Sequence, residues 1–135
     1  MKVKNNRGAK NEFNTAKKIE EELKNIGLNP IRVGKTGVYA EIVCKNPGKT
    51  IVLRADIDAL GIEDMKEVEY KSQNKGLCHA CGHDVHTTIL MGVAYNLAQM
   101  QKEFSGYVKL FFQPAEENVG GAERMVNEGF MENPH

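Results

Sequence analysis

Between residues 51 and 112 the chain reads as strand, helix, strand, and that order limits its fold more than any other feature. Ile51-Val52-Leu53 through Ile57 carries a buried-strand signal, and Tyr107-Val108-Lys109-Leu110-Phe111-Phe112 carries a second, stopped by Pro114. Between them Val85, Ile89, Val93 and Leu97, with Leu90 and Ala94 beside them, form an apolar stripe of period 3.6. That stripe predicts a helix from about 85 to 102, with Asp84 at the N-cap position. A crossover of this length makes the two strands parallel neighbours or near-neighbours in an α/β sheet. The helix then starts at the rim where the first strand ends, and the second strand ends at that same rim. Asp56 and Asp58, the segment from Cys78 to His86, and Glu116-Glu117 are therefore expected to converge there, where open α/β folds hold their sites.

The flanking sequence extends this unit. Ala16, Ile19, Leu23 and Ile26 recur at helical spacing among Lys and Glu, and Gly27 stands at the left-handed C-terminal position. Val38, Ala40, Ile42 and Cys44 alternate with Tyr39, Glu41 and Val43, and Asn46-Pro47-Gly48-Lys49 follows with turn chemistry. An antiparallel hairpin of these residues with strand 51–57 is expected, so the sheet is mixed. A polar stretch runs from Glu63 to Lys75, and a shorter helix around Ala122 to Glu128 ends at Gly129. Residues 1–12, with Asn5, Asn6, Gly8 and Asn11, read as a polar lead-in to a single domain over 13–135.

Composition excludes several classes. The 18 Lys+Arg balance 18 Asp+Glu, so neither a polybasic nucleic-acid footprint nor an acidic tail is present. No apolar run approaches the roughly 18 residues of a membrane span, and the basic start lacks an apolar segment behind it, which predicts a cytoplasmic protein without a membrane partner. Three Cys (Cys44, Cys78, Cys81) in a chain long enough to build a core favour metal or redox chemistry over a disulfide scaffold.

The densest chemistry is Cys78-His79-Ala80-Cys81-Gly82-His83-Asp84-Val85-His86. Thiolate and imidazole are the donors that borderline transition metals prefer. Gly82 after Cys81 rules out a Cys-x-x-Cys-His haem attachment, whereas a thioredoxin-like Cys78/Cys81 pair stays open but gives the Glu pair no task. Glu116 and Glu117, directly after a buried strand, suit a metal site that hydrolyses an amide: one carboxylate ligates, and the other accepts and returns a proton. Asp56 and Asp58 lie at i and i+2 and are expected to orient a metal-bound His in preference to ligating directly. His86 stands equally as a ligand, a substrate contact or a capping group, and His79 carries no separate signal.

His79-Ala80-Cys81-Gly82-His83-Asp84-Val85-His86-Thr87-Thr88-Ile89-Leu90 resembles the metal-dependent amidohydrolases of the aminoacylase, carboxypeptidase and indole-acetyl-amino-acid hydrolase group. So do Phe112-Gln113-Pro114-Ala115-Glu116-Glu117 and Gly120-Gly121-Ala122, and Leu53-Arg54-Ala55-Asp56-Ile57-Asp58-Ala59-Leu60 looks like that group's first active-site strand. The likeness spans about Glu12 to Pro134. It implies part of a three-layer, zinc-peptidase-like α/β catalytic domain that hydrolyses N-acyl amino acids or short peptides at a site for two divalent metals. By the same resemblance Cys81, His83 and Glu117 are metal ligands and Glu116 is the general base. A thiolate ligand leans toward zinc, cobalt or nickel, while the carboxylate and imidazole donors also suit manganese. Cys78 has no assigned role.

The resemblance also sets expectations about what lies outside this chain. Two ions need more donors than Cys81, His83 and Glu117, and the group draws two further His from downstream segments that His135 does not match. A His-containing segment before the first helix, the lid and dimerisation domain, and the C-terminal part of the catalytic domain are likewise expected to be absent. The expectation is one half of an amidohydrolase site, impaired alone or completed by another fragment. The alternative is a non-catalytic zinc-stabilised module built on Cys78, Cys81, His83 and His86, or an inactive remnant.

Overall fold

The computed structural model describes residues 12–117 and 120–130. The expected lead-in at residues 1–11, and also Asn118, Pro134 and His135, lie outside the described residues. Glu12 does not belong to a lead-in: it is the first residue of a helix and only 3% exposed.

Among the described residues, seven elements follow in order: α1 (Glu12–Asn25), β1 (Ile31–Val33), β2 (Gly37–Val43), β3 (Asn46–Asp56), α2 (His83–Met100), β4 (Ser105–Gln113) and α3 (Gly121–Asn127). The four strands form one mixed sheet in the order β1-β2-β4-β3. β3 and β4 pair in parallel, with Leu53 opposite Leu110 and Asp56 opposite Gln113, as the crossover through α2 requires. The three-residue β1, which carries no sequence signal of its own, pairs antiparallel with β2 at the far edge.

The expected hairpin between β2 and β3 does not form. β4 lies between them, antiparallel to β2 and parallel to β3. The reason lies in β4 itself: Leu110, Phe111 and Phe112 are all buried, so both faces are covered, and such a strand takes neighbours on both sides. Nor is the Asn46-Pro47-Gly48-Lys49 segment a free turn. It opens β3, with an irregularity between Asn46 and Thr50 where the chain presses against the start of β4. A Cβ on Gly106, whose φ is 96°, would lie 2.1 Å from the Lys49 carbonyl oxygen, so only glycine fits this close approach.

Alternation along the strands divides the core into two layers around the sheet. Val38, Ala40, Ile42, Ala55, Leu110 and Phe112 pack with Ala16, Ile19 and Leu23 of α1 and Leu90 and Ala94 of α2. Phe111 points the other way, into a smaller cluster with Val33 and Met125 of α3, joined by Tyr39 and Phe130. The result is a three-layer α/β/α arrangement, and fully buried side chains such as Phe112 and Leu110 each contribute about 1.5–3 kcal/mol by leaving water.

The buried line of α2 differs from the expected stripe. His83, Leu90 and Ala94 face the sheet, while Val85 and Ile89 are 55% and 61% exposed. The helix also begins two residues earlier than expected. Gly82, at φ 75°, is the N-cap, and Asp84 lies in the first turn, where its carboxylate accepts from the Val85 N–H. This rotation turns His83 inward. Among the described residues, no helix is long and apolar enough to cross a membrane.

Candidate metal centre

The parallel pairing of β3 with β4 brings the three expected polar segments to one rim. His83 opens α2, Asp58 follows β3, and Glu116-Glu117 follow β4. The side chains of Asp58 and His83 are 0% and 6% exposed, and the His83 Nδ1 lies 3.0 Å from Asp58 Oδ1 and 3.1 Å from the Asp58 carbonyl oxygen. Two acceptors around Nδ1 fix it as the protonated nitrogen and leave Nε2 with the lone pair to offer a cation. The other Asp58 oxygen, Oδ2, accepts the Glu117 backbone N–H at 3.0 Å. Asp58 thus sits behind two of the expected ligands.

His83, Glu116 and Glu117 each present an atom within 4.8 Å of the other two, close enough to share one ion. The two adjacent glutamates converge because Ala115, just before them, takes a left-handed conformation with φ 52° that turns the chain at the end of β4. Cys81, expected as a ligand, is not among these clustered donors but lies next to Glu117. Its thiol pKa is raised, first by a side-chain hydrogen bond to Glu117, then by burial and by the negative charges of Glu117, Glu116 and Asp58. A thiol and a carboxylate competing for one proton are a donor pair that a divalent cation satisfies better than the proton does. Sulfur, imidazole nitrogen and carboxylate oxygen together fit a borderline transition metal.

A second group lies on the other side of His83. Asp56, His83 and His86 also bring ligating atoms within 4.8 Å of one another, and the two imidazole rings stack at 5.5 Å. Asp56 is tied down: the Arg54 guanidinium pairs with Oδ1, the Thr87 hydroxyl donates to its carbonyl at 3.0 Å, and His86 Nδ1 lies 3.9 Å from Oδ2. The Arg54 Nε donates in turn to Gln113 Oε1 at 2.6 Å. Cys78 belongs to neither group. It is buried, with its backbone paired to Leu60 through two hydrogen bonds.

Sequence reasoning missed two contributors. Arg54 had no assigned task, although a charged residue two positions before Asp56 on a strand shares its side of the sheet. Glu12 was placed outside the domain, although it lies on the same helical line as Ala16, Ile19 and Leu23. It accepts from the Thr36 hydroxyl with Oε2 and from the Ala115 N–H with Oε1, the latter at 3.1 Å.

The chain is similar to several known proteins. Over 124 residues the chain is 45% identical to thermostable carboxypeptidase 2 of Saccharolobus solfataricus, covering 89% of this chain and 32% of that protein. It is 44% identical over 126 residues to the N-acetyl-L-cysteine deacetylase of Bacillus subtilis, covering 92% of this chain and 30% of that one. Among solved structures, the Bacillus subtilis YXEP protein, described as a dinuclear metal-binding peptidase of the M20 family, superposes with a TM-score of 0.85 at 41% identity. That superposition covers 90% of this chain and 34% of that structure. The chain spans about a third of the length of the curated relatives it matches. Residues 52–135, which include Asp56, Asp58, Cys81, His83, His86, Glu116 and Glu117, match peptidase family M20/M25/M40, and the chain belongs to that family.

Proposed function

We propose that this chain supplies one half of a metal-dependent site that hydrolyses the amide bond of N-acyl amino acids or short peptides. The observation that carries the reading is the convergence of His83, Glu116 and Glu117 within 4.8 Å, with Cys81 close enough for Glu117 to raise its thiol pKa. The names of the relatives, a carboxypeptidase and an N-acetyl-L-cysteine deacetylase, support the substrate class.

In this reading Cys81, His83 and Glu117 hold the metal, and Asp58 keeps His83 in the tautomer that offers Nε2. Bound divalent metals lower the pKa of a water and polarise the amide carbonyl. Glu116, beside the ligands and exposed to solvent, accepts the proton from that water and delivers it to the departing nitrogen. The donor set suits zinc, cobalt or nickel through the thiolate, and manganese through the carboxylates and imidazole. A two-metal site needs donors beyond these three, which the proposal assigns to further polypeptide, contiguous or supplied as a complementing fragment. The free thiols of Cys44, Cys78 and Cys81 fit a reducing cytoplasmic setting.

The test is Glu116→Gln in any form of the protein that hydrolyses N-acetyl amino acids. The variant is expected to keep its metal while turnover falls by at least about 100-fold. Retained turnover would remove Glu116 as the base, and loss of metal with turnover would make it a ligand instead.

A further inference from the structure

The backbone amides on both sides of Glu116 are held by buried carboxylates from distant parts of the chain. The Glu117 N–H donates to Asp58 Oδ2 at 3.0 Å, and the Ala115 N–H donates to Glu12 Oε1 at 3.1 Å, across 103 residues of sequence. Asp58 and Glu12 are 1% and 3% exposed, so neither carboxylate is at liberty to turn to water. We propose that Glu12 is a positioning residue for Glu116: through its bond to Ala115 it maintains the backbone turn that brings Glu116 to His83 and Glu117. This rests on the reading of Glu116 as the proton acceptor.

Ala115 makes the case. Its φ of 52° places it in the left-handed region, which non-glycine residues enter rarely and hold only where surrounding structure enforces it. Two constraints act on this turn. On one side the backbone of Gly121 passes so close that a Cβ there would lie 1.8 Å from the Pro114 carbonyl oxygen. On the other, the Glu12 carboxylate takes the Ala115 N–H in a charge-assisted bond, stronger than one to a neutral acceptor. That carboxylate is itself fixed in rotation, because its second oxygen takes the hydroxyl of Thr36, a buried residue in the connection between β1 and β2. Helix α1, the β1–β2 connection and the turn after β4 therefore meet at one side chain. If Ala115 relaxes to negative φ, Glu116 and Glu117 leave His83 together.

The experiment uses the full chain with Glu12→Ala, Ala115→Gly and the double variant. It reads Co²⁺ affinity from the visible absorption of the bound ion, and hydrogen exchange at the amides of residues 115 and 117. Glu12→Ala is expected to weaken Co²⁺ binding about tenfold, the scale found for groups that support metal ligands. It should also release the protection of amide 115. Adding Ala115→Gly is expected to recover most of that affinity, because glycine adopts the left-handed turn without strain. A residue that served stability alone would give the opposite pattern. Glu12→Ala would then lower the melting temperature with Co²⁺ affinity and amide 117 unchanged, or Ala115→Gly would fail to restore the loss, and either result overturns the proposal. Should Glu12→Ala not fold, the isosteric Glu12→Gln and the hydroxyl deletion Thr36→Val are read by the same two measurements. If the unsubstituted chain binds no Co²⁺, the metal reading fails, and exchange at amides 115 and 117 alone decides the role of Glu12.

Discussion

Asp58 and Glu117, 59 positions apart, are joined by a hydrogen bond of 3.0 Å from the Glu117 N–H to the Asp58 carboxylate, whose other oxygen faces His83 Nδ1 at the same distance. One fully buried side chain thereby sets the separation between the end of β4 and the start of α2.

Removing that carboxylate leaves the Glu117 N–H without its acceptor and leaves His83 Nδ1 with the Asp58 carbonyl oxygen alone. Asp58→Ala is expected to weaken metal binding by about 10–100-fold and to cost about 1–3 kcal/mol in stability. Asp58→Asn, which keeps one acceptor oxygen, should lose less. Competition against a chromophoric chelator and urea unfolding measure the two effects, and unchanged affinity in Asp58→Ala would contradict the role given to this residue.

The Cys81 thiol supplies a pH signature. Its pKa lies above the ordinary thiol value of 9.0, chiefly through its hydrogen bond with Glu117, so the folded chain without metal holds this proton more tightly than the unfolded chain does. That contribution to stability is complete below the unfolded thiol value and is lost as pH rises through the higher folded one. Metal must displace the same proton, so affinity should climb with pH. Calorimetry in buffers of different ionisation enthalpy should then show about one proton released per ion at neutral pH. Cys81→Ser should abolish that release.

Cys78 and Cys81 are expected to behave in opposite ways. Neither cysteine is among the two groups of clustered donors, but Cys81 interacts with Glu117 whereas Cys78 is buried with its backbone joined to Leu60, so Cys78→Ser should leave metal content intact. Cys81→Ser should lower it. Metal analysis of the two purified variants separates them, and loss of metal from Cys78→Ser would favour a closed structural site.

Two glycines isolate the tight crossing at the base of the sheet. Gly27 has φ 84° with nothing near its missing Cβ, so Gly27→Ala should cost about 1–2 kcal/mol from the left-handed backbone alone. Gly106→Ala adds a collision with the Lys49 carbonyl oxygen and should cost clearly more. Urea midpoints of the two variants rank them, and equal costs would show that β3 yields at this point.

How far the sequence discloses this molecule depends on the range over which each signal acts. The crossover was legible because Ile51 to Ile57, the α2 stripe and Tyr107 to Phe112 carry their own periodicities, and chirality then leaves few arrangements. The meeting of Asp56, Asp58, His83 and Glu116-Glu117 at one rim followed from that topology without any knowledge of contacts. The β2–β3 hairpin misled because Asn46-Pro47-Gly48-Lys49 is local turn chemistry, and no local signal announces that a strand 60 residues later will enter the gap. The uninterrupted apolar run Leu110-Phe111-Phe112 was the available hint of a central strand. On α2, Val85 and Ile89 supported a stripe that the buried His83 displaces, since a polar residue that faces inward for its chemistry adds nothing to an apolar count. Glu12 was hidden for the same reason, by its polarity and its Asn-rich surroundings.

The place of β4 between β2 and β3 also fixes the order in which the molecule can assemble. A growing polypeptide that has emerged only as far as residue 104 holds β2 and β3 with no strand to join them, and with Asp58 and His83 but neither glutamate. Entry of β4 completes the sheet and delivers Glu116 and Glu117 in the same movement, across contacts that span much of the sequence and therefore form slowly. His83 therefore meets Glu116 and Glu117 only once β4 lies between β2 and β3.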